Sequence, residues 1–213
     1  MKYCYPVISH KHKFIWYLVP KAASRSVRKI FYDLDNEWLQ EESLMSVDED
    51  VYRDEVILHI HPKTHYFSCA IVRNPWSRLV STWADKTKKC IGTPHSRAWF
   101  RPYEDSTFTE FIYAVRDDKI IVVTGPENGF PDRHIIPQDD LIPDSVETIC
   151  RVENLQQEFR DVCDKIKIPY QDLPYHNKTD HKHYTEYYDD ETAQIVAGIY
   201  RKDIERFGYK FGE

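Results

Sequence analysis

Twice along this chain a short apolar and aromatic run ends in a turn that carries basic and hydroxyl side chains. Phe14–Val19 (FIWYLV) leads into PKAASRS at Pro20–Ser26, and Phe67–Val72 (FSCAIV) leads into RNPWSRLVS at Arg73–Ser81. Both runs are short, rich in β-branched and aromatic residues and bounded by Pro or Arg, so each reads as a buried strand. Helical patterns follow both turns. Val27, Ile30 and Phe31 fall at i, i+3 and i+4 within Ser26–Leu34, and Pro75 suits the first turn of a helix over Pro75–Lys88. Two such strand-loop-helix units indicate an α/β fold. They also offer two places where backbone N–H groups and a helix N-terminus can cradle a phosphate.

The rest of the chain alternates in the same way. Val56–Ile60 is a candidate strand running into His59, His61 and His65. Thr107–Asp117 is an amphipathic helix with Phe108, Phe111, Ile112 and Val115 on one side, Thr148–Val152 is a strand and Leu155–Ile166 a helix. A last helix spans about Asp190–Phe207, with Asp189 or Asp190 as N-cap and Gly208 as its stop. Gly125–Pro143, rich in Gly, Pro and Asp, reads as an active-site-facing loop, and acidic Asp35–Arg53 as surface. There is no internal repeat and no low-complexity segment.

With 213 residues, 41% hydrophobic and 14% aromatic, the chain suits one well-cored domain over 1–213 and is short for two. It contains no run of eighteen apolar residues, and its first residues lack the apolar stretch of a signal peptide, so a soluble, cytoplasmic protein with no membrane span is expected. Five widely spaced cysteines without a CxxC suit reduced thiols. A net charge of −6 argues against a nucleic-acid partner. The local balance differs: Lys21, Arg25, Arg28 and Lys29 gather at the first turn, and Arg73 and Arg78 at the second, which would concentrate anion-binding potential in one cleft. The histidines have no spaced carboxylate or cysteine partner, so no metal is expected.

PKAASRS and RNPWSRLVSTWADK together resemble the two nucleotide signatures of sulfotransferases that use 3'-phosphoadenosine 5'-phosphosulfate (PAPS), most closely the carbohydrate-type, family 2-like branch. RVENL (Arg151–Leu155), LPYHNKT (Leu173–Thr179) and YRKDIERFGYKF (Tyr200–Phe211) look like later segments of that branch. The resemblance implies a three-layer P-loop-like fold, a central parallel sheet with helices on both faces. It implies transfer of a sulfonate from PAPS to an acceptor hydroxyl, on a carbohydrate or glycoside, with PAP as the other product. Lys21, Ala22, Ala23, Ser24, Arg25 and Ser26 would hold the 5'-phosphosulfate, and Arg73 with Ser81, eight residues on, the 3'-phosphate. Arg25 stands where this loop usually has a small hydroxyl residue, so that phosphate contact falls to Ser24, Ser26 or the guanidinium itself.

Lys21 suits the leaving oxygen, because a mobile ammonium can follow the charge that grows there. The family's histidine base points to His61, with His59 next and Glu55 third, since imidazole titrates near neutrality. The resemblance further implies that Lys178 would lie in a late loop that closes over the nucleotide and His134 in a segment that meets the acceptor; Trp76 or Tyr170 could stack on adenine. Two other classes fit less well. A P-loop kinase would show GxxxxGK[ST], which PKAASRS lacks. A non-catalytic nucleotide-binding relative would be free to lose Lys21, Arg73 or Ser81, and all three are present.

Overall fold

The computed structural model describes residues 6–9, 11–27, 30, 66–89, 98–123, 129–173 and 182–213. Two units divide the chain: Met1–Val72 with Asp140–His176, and Arg73–Asp139 with Asn177–Glu213.

The first unit is built on a four-stranded sheet ordered β1-β2-β3-β6, with β1 Pro6–Ser9, β2 Phe14–Tyr17, β3 Phe67–Val72 and β6 Thr148–Arg151. β2, β3 and β6 run parallel, with Phe14 opposite Phe67 and Cys69 opposite Thr148. β1 departs from the all-parallel expectation. It pairs antiparallel with β2, Ser9 facing Phe14, because a tight turn joins them and a short hairpin can connect only antiparallel neighbours. Lys13 closes that turn in the left-handed region at φ 53°. β3 is buried at five successive positions, Ser68–Val72, as expected of a parallel strand shielded on both faces. The register of β3 is pinned from the chain entering β6: the Ser68 N–H donates to Glu147 Oε2 at 2.8 Å, and the Glu147 N–H donates to Ser68 Oγ at 3.1 Å. The 12-residue helix Leu155–Ile166 buries Phe159, Val162, Cys163 and Ile166, and Phe159 meets Trp16 edge-on at 6.0 Å.

The second unit is mainly helical. α1 Pro75–Trp83 continues as a π-helical stretch, Ala84–Lys89. α2 Phe108–Arg116 starts on a reciprocal cap in which Thr107 and Glu110 bond each other's backbone N–H. The helix expected over Asp190–Phe207 is two: Asp190–Ile199, capped by Asp189, and Arg201–Phe207, ended by Gly208 at φ 69°. Tyr200 makes the break with φ −103° and ψ 28°. Trp76, Leu79, Phe111, Ile112, Val196 and Tyr200 belong to the unit's core.

Gly125–Pro143 is only partly the loop expected. β5 Gly129–Pro131 forms a hairpin with β4 Ile121–Val123, and the segment after β5 is largely buried at Asp132, His134, Ile135, Ile136 and Gln138. Irregular backbone out of water must find hydrogen-bond partners, and here side chains supply them. The carbonyls of Arg133 and Ile136 accept from the Arg78 guanidinium at 3.0 and 2.8 Å, that of His134 from Thr82 Oγ1 at 3.1 Å, and that of Ile135 from the Tyr200 hydroxyl at 2.6 Å.

Candidate active site

The loop after β2 is shaped by its backbone. Lys21 and Ala23 both take left-handed conformations, φ 67° and 56°, with Ala22 buried between them. For residues with a Cβ this conformation costs about 1–2 kcal/mol each. The Ala22 N–H donates to the Val19 carbonyl at 3.2 Å, and the Ala23 carbonyl accepts from the N–H groups of Ser26 and Val27 at 3.0 and 3.2 Å as helical geometry begins at residue 24. Left-handed residues followed by a helix start are a main-chain shape that can present N–H groups to an anion. Lys21 and Ser24 are half-buried, Arg25 is exposed and Ser26 is buried.

The second motif is shaped by side chains. Asn74 caps α1, its Oδ1 accepting from the N–H groups of Trp76 and Ser77, while its Nδ2 donates to the Lys210 carbonyl at 3.0 Å. Just before this cap, Arg73 is half-buried and donates from Nε to Ser77 Oγ at 3.0 Å. Ser77 and Ser81, four apart in α1, lie on one face of the helix, and Arg73 reaches that face through its bond to Ser77. Ser81 is 4% exposed. The main chain of Arg73 is gripped by Gln138: Oε1 accepts from the Arg73 N–H at 2.9 Å, and Nε2 donates to the Arg73 carbonyl at 2.8 Å.

Several residues that the sequence offers for ligand contact are engaged within the protein. Arg78 is 1% exposed and spends its guanidinium on main-chain carbonyls, so it belongs to the framework and not to a surface for anions. Burial pulls its pKa below the ordinary arginine value, with Tyr200, Asp203 and Asp132 pulling the other way. Trp76 is core: its indole N–H donates to the Ala193 carbonyl at 2.9 Å and its ring meets Phe211, which leaves no face for adenine. Tyr170 is engaged by Gln156 and Asp172 through its hydroxyl and covered by the Arg160 guanidinium at 4.5 Å. His134 is buried, with Nδ1 2.5 Å from Asp132 Oδ1, the oxygen that also accepts the His134 N–H. His59, His61, Glu55 and Lys178 lie outside the described residues.

Gln138 and Asp203 were missed by sequence reasoning. Gln138 sits in a Pro- and Asp-rich stretch and Asp203 among the charges of the last helix, and no spacing ties either to Arg73. Among the described residues, the buried cysteines Cys69, Cys150 and Cys163 offer no nucleophile. Burial pushes the Cys150 thiol up to about 12 and that of Cys163 to about 11, and lifts Cys69 well above its ordinary value. Among the described residues no group of His, Cys, Asp or Glu could hold a metal ion, and no helix is long and apolar enough to cross a membrane.

A family model described as "Sulfotransferase family" matches residues 6–210. No curated protein and no solved structure matches the chain.

Proposed function

Since this chain belongs to the sulfotransferase family and is a sulfotransferase enzyme, we propose that its donor is PAPS and its acceptor a hydroxyl on a carbohydrate or glycoside. The observation that supports the donor is the placement of the two motifs, and the sugar acceptor follows the resemblance of RNPWSRLVSTWADK to the carbohydrate-type branch. β2 and β3 are adjacent and parallel, PKAASRS follows the carboxyl end of one, and RNPWSRLVS follows the carboxyl end of the other, where open α/β sheets take their ligands. Residues 1–213 then form one catalytic domain, in keeping with a family match that runs through both units. The fold is a three-layer, P-loop-like one with helices on both faces of the sheet, in keeping with the burial of β3 on both sides.

In this mechanism the loop amides of Ala22–Ser26 hold the 5'-phosphosulfate and Lys21 follows the leaving oxygen, while Arg73 and Ser81 take the 3'-phosphate and Lys178 closes over the nucleotide. The acceptor oxygen attacks sulfur in line, its proton passes to His61, or to His59 or Glu55, and the bond from sulfur to the bridging oxygen breaks to release PAP. Positioning and charge stabilisation do most of the work, as in phosphoryl transfer. Lys21 supplies the positive charge at the leaving oxygen, so no metal is required. A reducing, cytoplasmic setting is in keeping with the free thiols of Cys69, Cys150 and Cys163.

The test is PAP release and product mass when the purified protein meets PAPS and a panel of sugar hydroxyls without added metal. The expected result is metal-independent transfer to at least one sugar. Magnesium-dependent ATP hydrolysis without sulfonate transfer would favour the kinase reading, and PAP binding without turnover on any acceptor would favour a nucleotide-binding scaffold.

A further inference from the structure

We propose that Gln138, locked by Asp203, is the positioning residue that aims Arg73 at the 3'-phosphate of the nucleotide; this rests on the PAPS reading above. β3 ends at Val72, so the main chain of Arg73 lies beyond the last position that pairs with β6. The Gln138 side chain takes over the role of a neighbouring strand and binds both the N–H and the carbonyl of Arg73, at 2.9 and 2.8 Å. Two bonds to one residue's main chain fix the direction in which its side chain leaves.

The orientation of the Gln138 amide is itself determined. Nε2 also donates to Asp203 Oδ2 at 3.2 Å, and only an amide nitrogen can face both that carboxylate and the Arg73 carbonyl. Asp203 is 0% exposed and is held in turn. Its Oδ2 accepts from the Gln138 N–H at 2.9 Å and its Oδ1 from the Asp139 N–H at 2.8 Å, while Asp139 pairs with Arg206 at 2.7 Å. From Arg73 the chain of contacts runs outward, Nε donating to Ser77 Oγ and so setting the roll of the guanidinium along the face that carries Ser81. Gln138 is itself 0% exposed. Its influence on a ligand therefore passes through Arg73.

The 3'-phosphate distinguishes PAP from adenosine 5'-monophosphate, so calorimetric affinities for the two nucleotides isolate what the 3'-phosphate site, Arg73 with Ser81, contributes, and the Arg73→Ala variant gives the share of Arg73. Gln138→Leu should weaken PAP by roughly 10- to 100-fold, the scale of a charge-assisted hydrogen bond, and change the monophosphate by less than about threefold. Gln138→Asn keeps the amide but is one methylene short of spanning Arg73 and Asp203; it gives the same collapse of the ratio and serves if the leucine variant does not fold. Because Gln138 acts through Arg73, the double variant with Arg73→Ala should show the same PAP-to-monophosphate ratio as Arg73→Ala alone. General loosening of the protein would weaken both nucleotides together. A folded Gln138 variant with the wild-type ratio, or full additivity in the double variant, overturns the positioning role while leaving the PAPS reading intact. A wild-type protein that does not distinguish the two nucleotides overturns both.

Discussion

The two motifs proposed to hold the nucleotide take their shape by different physical routes. In PKAASRS the shape is in the main chain: Lys21 and Ala23 hold left-handed conformations and the Ala23 carbonyl gathers two amides at the start of a helix. In RNPWSRLVS the main chain is ordinary, and shape comes from side chains brought from far along the sequence, Gln138 and Asp203 behind Arg73 and the Lys210 carbonyl behind Asn74. A backbone-built loop is sensitive to what its own residues can adopt. A network-built anchor is sensitive to distant buried partners.

The largest effect separates the two motifs by function. Lys21→Ala should cut turnover with PAPS by on the order of 100- to 1000-fold, as loss of one donor to a developing oxyanion does, and weaken PAP only modestly. Arg73→Ala should do the reverse, acting mainly on PAP affinity; equal losses of binding in both variants would erase the distinction. Next in size is the framework behind the second motif. Arg78→Met removes the donor to the Arg133 and Ile136 carbonyls and strands buried polar groups, at a cost of about 3–5 kcal/mol in urea unfolding. A cost below about 1 kcal/mol would mean that those carbonyls find water.

Loop conformation gives a smaller, sharper contrast. Ala23→Val puts a β-branched residue at φ 56° and should lose about 1–2 kcal/mol, whereas Ala23→Gly trades relief of strain for unfolded-chain entropy and should stay within about 0.5 kcal/mol of wild type. If valine is as well tolerated as glycine, the left-handed residue is not what shapes the loop.

Smallest is a pH effect. Burial raises the Asp203 carboxyl above its ordinary value of 3.8, with Arg78 and the main-chain N–H groups of Asp139 and Gln138 opposing. The folded state therefore holds this proton more tightly than the unfolded chain. The stability linked to it is complete below pH 3.8 and lost as pH rises through the raised value. The melting-temperature advantage of wild type over Asp203→Asn should accordingly shrink as pH climbs from about 4. An advantage that grows with pH would contradict the shift.

Sequence was a good guide where local chemistry decides structure. Phe67–Val72 is the strand expected because Arg–Asn–Pro ends it, Pro75 opens α1 behind an Asn cap, and Thr107, Asp189 and Gly208 mark helix ends by their own side chains or lack of one. It was a poor guide where distant partners decide. Nothing near Arg78 shows that its guanidinium meets Arg133 and Ile136, nor near Tyr200 that its hydroxyl reaches Ile135 where the last helix breaks. Pro6–Ser9 is too short to announce itself and becomes a strand by pairing with β2. For the candidate site, Lys21, Arg73 and Ser81 could be named from the motifs, but Gln138 could not, because its link to Arg73 exists only after folding.

The central claim is a site for a nucleotide carrying both 5'- and 3'-phosphates, and calorimetric titration with PAP beside ATP, without added metal, tests it most directly. Micromolar or tighter binding of PAP with ATP much weaker is the expected result. No binding of PAP, or binding no tighter than that of ATP, would contradict the assignment of both motifs.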